Sequence, residues 1–269
     1  MKKRMTALTL GAACCATLSL QALTIVDTFD GLTLGDINGQ NGWVQNTLTG
    51  SPVADTFTVI TDPGNASNQV LEMSDASNQS INQSLGGLGV TDSNTGTLYF
   101  EFQRADSAAN FFWSGYARDE VNNFDDGRAY TSYSNPDLRA RDGGSDTDID
   151  GGNPISVGEW FGVWLVASDP DNTALYDVYI QGGAWASQTT VAEDFDMRGG
   201  TGDDLTHVSF FGNASSAGTI YFDNVYAASG EDLSLPSTTN IPEPSSFALL
   251  AGALGLGLVV LRRRPALSK

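Results

Sequence analysis

The residues whose spacing comes nearest to a ligand set are Asp146, Asp148 and Asp150, set at alternate positions before Gly151 in the stretch DTDIDGG. In a calcium loop, side-chain oxygens at the first, third and fifth positions converge, and a glycine at the sixth permits a sharp turn. The twelfth position, where such a loop places a bidentate glutamate, is Val157 here, and Glu159 falls two residues late. A solvated acidic turn uses the same residue types and is the favoured reading, with Ca2+ the one cofactor the pattern suggests.

Other reactive groups are sparse. His207 is the sole histidine, in LTHVSFFG, where a strand-packed or exposed role is preferred to imidazole chemistry. There is no G-x-S-x-G elbow, phosphate loop or zinc-ligand spacing. Sugar binding needs aromatic rings whose faces pack on pyranoses, and Trp43, Tyr130, Tyr133 and Trp185 lie in Gly- and Asn-rich surroundings suited to that use. Trp160, Phe161 and Trp164 read as core. In NFFWSGYARD, Phe111 and Trp113 share one face of a strand with Phe112 opposite.

The elements that must position these residues are short strands. TLYFEFQRA alternates, with Leu98, Phe100 and Phe102 on one face and Tyr99, Glu101 and Gln103 on the other. EWFGVWLVAS, ALYDVYIQGG, THVSFFGNA and GTIYFDNVYAA also read as strands, separated by Gly, Asn, Asp and Pro. INQSLGGLG is compatible with a strand or a turn. No stretch keeps a helical period over three turns, so the body is expected to be one all-β antiparallel sandwich.

Charge and the chain ends bear on location. The chain carries 32 acidic and 13 basic residues, a formal net charge of −19. Residues 23–236 keep 31 of the acids and only six arginines, with no lysine, a formal −25. Such a field repels nucleic acid and anionic lipid, so nucleic acid is excluded as a partner. Residues 1–22 have a basic head (Lys2, Lys3, Arg4), an apolar middle and a small residue, Ala22, as expected of a signal peptide. Cleavage after Ala22 removes Cys14 and Cys15, the only cysteines, and leaves no disulfide. A lipid-modified Cys14 is the alternative.

At the other end, Phe247 to Leu261 is an unbroken run of apolar and glycine residues followed by Arg262, Arg263 and Arg264. As a helix it reaches only about 22 Å against a hydrocarbon core of about 30 Å. Local thinning and snorkelling make the short transmembrane span tolerable, and the arginines place its end in the cytoplasm with the body outside. Residues 230–240, GEDLSLPSTTN, read as an extended tether.

Pro242, Glu243 and Pro244, then the apolar run and the arginine cluster, resemble the PEP-CTERM sorting signal of Gram-negative bacteria that make exopolysaccharide. The match covers residues 241–269. It implies an exosortase-type membrane enzyme as processing partner, a transient or permanent membrane segment, and a destination in the cell envelope, outer surface or extracellular matrix.

The body, residues 23–229, resembles the concanavalin-A-like (laminin-G-like) jelly-roll family. DTFDGLTLGDINGQNGW, GTIYFDNVYAA and the central pair of strands carry the likeness, with Gly158-Glu159-Trp160 and Tyr176-Asp177-Val178-Tyr179 filling the family's Gly-x-Trp and alternating positions. In related carbohydrate-binding sandwiches an aspartate on the last strand joins N-terminal residues around a structural calcium. That resemblance makes Asp223 a further metal candidate, with Asp27 or Asp30 as its counterpart. The family's glycosidases carry a Glu-x-Asp-x-x-Glu strand, and Glu193-Asp194-Phe195-Asp196 departs from it. The expectation is therefore a non-catalytic exported protein associated with exopolysaccharide. A lectin-like carbohydrate-binding module is the first alternative and a glycan hydrolase without a recognised motif the second.

Overall fold

A computed structural model describes residues 22–48, 53, 55–91 and 94–236. Residues 1–21 of the expected signal peptide, the expected sorting motif Pro242, Glu243 and Pro244, the expected span 247–261 and Arg262, Arg263 and Arg264 lie outside the described residues. The first eight strands are β1 (Thr24–Asp27), β2 (Gly35–Asp36), β3 (Val44–Thr47), β4 (Phe57–Asp62), β5 (Asn65–Ser74), β6 (Gln79–Ser84), β7 (Thr95–Arg104) and β8 (Asn110–Ala117). The rest are β9 (Gly127–Ser134), β10 (Asp137–Asp142), β11 (Ser145–Asp148), β12 (Trp160–Ser168), β13 (Leu175–Gly182), β14 (Trp185–Asp196), β15 (His207–Ala217) and β16 (Thr219–Ser229). Among the described residues the only helical turns are two short 3-10 segments, Gly86–Leu88 and Phe124–Asp126. INQSLGGLG thus divides into the end of β6 and a turn.

All named strand pairings are antiparallel and form two sheets. The first runs β14-β13-β12-β7-β16-β5-β4-β2, with β1 also on β16, and the second runs β11-β10-β9-β8-β15-β6-β3. The chain passes between the sheets repeatedly, among other places at β5 to β6, β7 to β8 and β15 to β16. Hence β16 lies between β5 and β7 in one layer, and β15 lies between β6 and β8 in the other. This sandwich buries its inward residues on both sheets.

Alternation decides which side chains meet. Leu98, Phe100 and Phe102 face the main core, as the sequence pattern requires, together with Phe161, Val163 and Leu165 of β12. Phe210 of β15 stacks on Phe222 of β16 with ring centroids 4.1 Å apart, tying the two sheets together at the centre. Trp43 stacks on Phe210 at 5.9 Å and meets Phe29 at 5.7 Å. Its Nε1–H donates to Asp27 Oδ2 at 2.7 Å, which satisfies the indole where no water reaches it.

The opposite face of the first sheet is also covered. Trp164, expected in the core, is fully buried there in a second cluster with Tyr99 and Tyr226, beneath Leu23, Leu233 and Leu235. Residues 231–236 form no strand, yet Trp164 Nε1 donates to the Ser234 carbonyl at 3.2 Å and Gln188 Nε2 to that of Leu233 at 3.0 Å. The first part of the expected tether is therefore a strap packed on the sandwich. In DLSLP, the leucines alternate with polar residues as an edge segment does, so one side can bury.

Candidate functional site

The outer face of the second sheet carries a further apolar layer. From β8, Trp113 stacks on Phe211 of β15 at 5.6 Å, and Tyr130 of β9 meets Phe211 edge-on at 5.7 Å. Phe111 and Trp113 do share this face, and Phe112 turns to the main core. The segment 118–126 folds over the layer, adding Val121 and Phe124. Its path is fixed by hydrogen bonds to β6, where Ser80 Oγ donates to the Val121 carbonyl at 2.6 Å and Val121 N–H donates to Asn82 Oδ1 at 3.0 Å.

Asp126 organises that segment. It is buried and accepts from Arg118 Nε at 3.0 Å, Arg118 Nη2 at 2.9 Å, and the Asn122 and Asn123 N–H groups, each at 3.0 Å. The Asn123 side chain accepts from the Asp125 N–H in return, a reciprocal cap on the 3-10 turn. Burial pushes the Asp126 carboxyl up, but the backbone N–H groups and the Arg118 guanidinium outweigh it and hold the carboxyl below its ordinary value.

Beside this covered layer lies an open groove of about 810 Å3. Four of the body's six arginines, Arg118, Arg128, Arg141 and Arg198, line it. Each is held. Arg198 Nη2 donates to Asp125 Oδ1 at 2.7 Å and its Nη1 to the Tyr130 hydroxyl at 3.4 Å. Arg141 Nη1 pairs with Asp146 Oδ1 at 3.2 Å and its Nε donates to the Gly143 carbonyl at 2.8 Å. Arg128 pairs with Asp203 and donates from Nη1 to the Arg198 carbonyl at 2.6 Å.

Two glycine pairs, Gly143-Gly144 and Gly199-Gly200, complete the walls with backbone. Gly199 has φ +80°, a backbone conformation that favours glycine, and a Cβ there would meet the Arg128 guanidinium. Asp125 and Asp196 add acceptors to the lining. A second groove of about 580 Å3 continues past Arg118 between Asp119, Glu120, Asp203 and Asp204.

The four aromatic residues named as sugar-binding candidates are all buried. Trp43 plugs the main core, and Trp185 packs edge-on to Phe161 at 6.2 Å. Tyr133 faces inward under the Arg104 guanidinium, 5.0 Å above its ring, and burial pushes its phenol up to about 12. Tyr130 lies under Arg198, its phenol raised by burial. None presents an open ring face. Sequence surroundings rich in Gly and Asn do not say which way a ring turns: Trp43, Tyr133 and Trp185 enter the main core, and Tyr130 is buried in the outer layer.

The aspartates named as calcium candidates are also committed elsewhere. Asp146 and Asp148 lie on β11 in a hairpin with β10, directly opposite Arg141 and Arg139. Arg139 Nε donates to Asp148 Oδ1 at 2.6 Å. Asp150 is buried and accepts the Leu138 and Gly152 N–H groups at 3.2 and 2.7 Å. Asp223 accepts from Asn68 Nδ2 at 2.8 Å and from the Asn224 N–H at 2.7 Å. Asp27 is taken by Trp43 and by the Phe29 N–H at 2.7 Å, and Asp30 by the Gln69 N–H at 3.0 Å.

Among the described residues no three acidic or histidine side chains are grouped to hold a metal ion. An extended DTD places its acids on one strand face toward the arginines, whereas a calcium loop would curl them around an ion. The Asp148 side chain is 59% exposed, so Asp148→Asn is expected to cost about 0.2–1 kcal/mol at most. Thermal unfolding in calcium and in chelator should give the same midpoint. A calcium-dependent rise of several degrees would contradict this geometry.

His207 stands at the start of β15 with Nδ1 2.8 Å from Thr206 Oγ1, and burial pulls its imidazole below its ordinary value. The sequence did not single out the groove arginines. Their one signal was scarcity, because six arginines and no lysine in so acidic a body make each cation notable.

No family profile matches the sequence and no curated protein does. Solved structures similar in outline include a GH131 β-glucanase catalytic domain from Podospora anserina, at 13% identity and TM-score 0.47, covering 80% of this chain and 98% of that one. Domain 4 of AbnA, a GH43 extracellular arabinanase from Geobacillus stearothermophilus in complex with arabinotriose, is 14% identical at TM-score 0.45, covering 78% and 95%. The exoplasmic/lumenal domain of VIP36 in a Ca2+/Man2-bound form is 9% identical at TM-score 0.45, covering 83% and 95%. At these identities none assigns a role to a residue of this chain.

Proposed function

We propose that this is an exported, non-catalytic envelope or matrix protein that associates with exopolysaccharide through the arginine-lined groove. The observation that carries the reading is the convergence of Arg118, Arg128, Arg141 and Arg198 on one open concavity in a body with only two other cations. Guanidinium groups locked by carboxylates and carbonyls are pre-organised donors, so a ligand need not bear the entropy of ordering them. Asp125 and Asp196 supply acceptors beside them.

Such alternation of donors and acceptors suits the hydroxyls of a glycan. Because Asp125, Asp146 and Asp203 already neutralise Arg198, Arg141 and Arg128, the groove does not select a polyanion. A neutral, hydroxyl-rich chain is the ligand that fits. The PEP-CTERM resemblance supports the location, with processing by an exosortase-type enzyme after export, and it supports an association with exopolysaccharide independently of the groove.

The test is calorimetric titration of the full chain in mild detergent with neutral and uronate-bearing polysaccharides. Binding of a neutral polysaccharide is expected. Arg198→Ala should lower its affinity about tenfold or more, by removing charge-assisted donors. The variant should fold normally, because Asp125 across the ion pair is 75% exposed. Equal affinity of the variant and the parent would sink the assignment to this groove.

A further inference from the structure

We infer that cleavage between Ala22 and Leu23 creates an α-ammonium group for which the sandwich already holds a receptor, the buried carboxylate of Asp232. The inference rests on the export reading alone, and the glycan groove does not enter it. Asp232 is 2% exposed. Its Oδ1 accepts the Ser234 N–H and its Oδ2 accepts the Leu23 N–H, both at 2.9 Å. Its own N–H donates to Thr97 Oγ1 at 2.9 Å, and that hydroxyl donates to the Gly230 carbonyl at 2.8 Å, so the carboxylate is fixed on β7.

A buried carboxylate ordinarily has a cation beside it, because two neutral N–H donors replace only part of its lost hydration. Here no arginine ion pair among the described residues involves Asp232, and the body has no lysine. The atom standing 2.9 Å from Oδ2 is the nitrogen of the Ala22–Leu23 peptide bond itself. Hydrolysis adds water across that bond. The C–N bond breaks, a carboxylate forms on Ala22 of the released leader, and the Leu23 nitrogen leaves with its electron pair and is protonated to an ammonium at pH 7. A neutral donor becomes a charged one without moving.

The surroundings are built for a chain end at this point. Ala22 is exposed, and the Leu23 side chain packs with Leu233, Leu235, Tyr99, Trp164 and Tyr226. Thr24 and Ile25 then pair with Ala227 and Tyr226 of β16. Processing therefore closes an ionic clamp between the first residue of the mature chain and the strap that leads toward the sorting tail.

The experiment has two arms. Mass spectrometry of the protein recovered from the envelope of its producing cells should show a chain beginning at Leu23. In the second arm, Leu23–Lys269 released without scar from a fusion partner is compared in mild detergent with the same chain acetylated at Leu23. The free amine should raise the folding equilibrium constant roughly 5- to 30-fold, and Asp232→Asn should erase that difference. Equal stability of the free and acetylated chains overturns the clamp even if Asp232→Asn fails to fold. A leader removed at another bond overturns it too, while a leader never removed overturns the export reading as well. None of these outcomes alters polysaccharide binding at the groove.

Discussion

Trp43→Ala should destabilise the sandwich by about 3–5 kcal/mol, which for a domain of this size corresponds to a melting midpoint lower by roughly 6–20 °C. The indole is fully buried, stacks on Phe210 and meets Phe29, and its N–H ends on Asp27. Removing it leaves a void beside the Phe210–Phe222 stack that joins the sheets. It also strips a donor from a buried carboxylate, a loss added to that of the cavity. Trp43→Phe keeps most of the ring and loses only the donor, so it should fall between the two. Thermal unfolding by tryptophan-independent far-UV dichroism measures all three. A variant that keeps its midpoint but loses polysaccharide affinity would return Trp43 to the ligand-facing role its neighbours in the sequence suggest.

The contrast between Trp43 and Leu98 shows where sequence reading has physical purchase. In β7 the two-residue period assigns Leu98, Phe100 and Phe102 to one side, and a strand cannot present them otherwise. Trp43 follows Asn41 and Gly42, both with positive φ, and a turn has no period from which to read a direction. The same limit hid the groove. Arg118 and Arg128 flank the capped segment, Arg141 ends the β10 hairpin and Arg198 follows β14, so no local motif unites them. Only the winding of the second sheet brings β9 and β10 beside residues 197–201. For Asp146 and Asp148 the spacing was seen correctly, but alternation on a strand and convergence in a loop share the pattern D-x-D. The register opposite Arg139 and Arg141 decides between them.

Asp126→Ala should have the second large effect, about 3–5 kcal/mol, because it removes one side chain from several donors at once. The Arg118 guanidinium and the Asn122 and Asn123 N–H groups all end on this carboxylate, whose side chain is only 7% exposed. Arg118, at 36% exposed, can turn to solvent, so the loss falls chiefly on the backbone of the segment. Without its cap, residues 118–126 should lift from the apolar layer of Trp113, Phe211 and Tyr130. Increased binding of a hydrophobic dye, together with lost amide protection in this segment while β7 and β16 stay protected, would identify local opening.

The same residue sets a pH dependence. A carboxyl held below its ordinary value of 3.8 in the folded state contributes stability that is fully present above that value. The contribution is lost as pH falls through the lower, folded value. Dye binding by the parent protein should therefore rise only below about pH 4, the ordinary range for an aspartate, and Asp126→Ala should show it already at neutral pH. The groove depends on this segment, since Arg118 lines it and Asp125, which holds Arg198, belongs to the capped turn. Polysaccharide affinity should fall with the segment's order in acid and in the variant alike, and affinity that survives while the segment is open would place the ligand elsewhere.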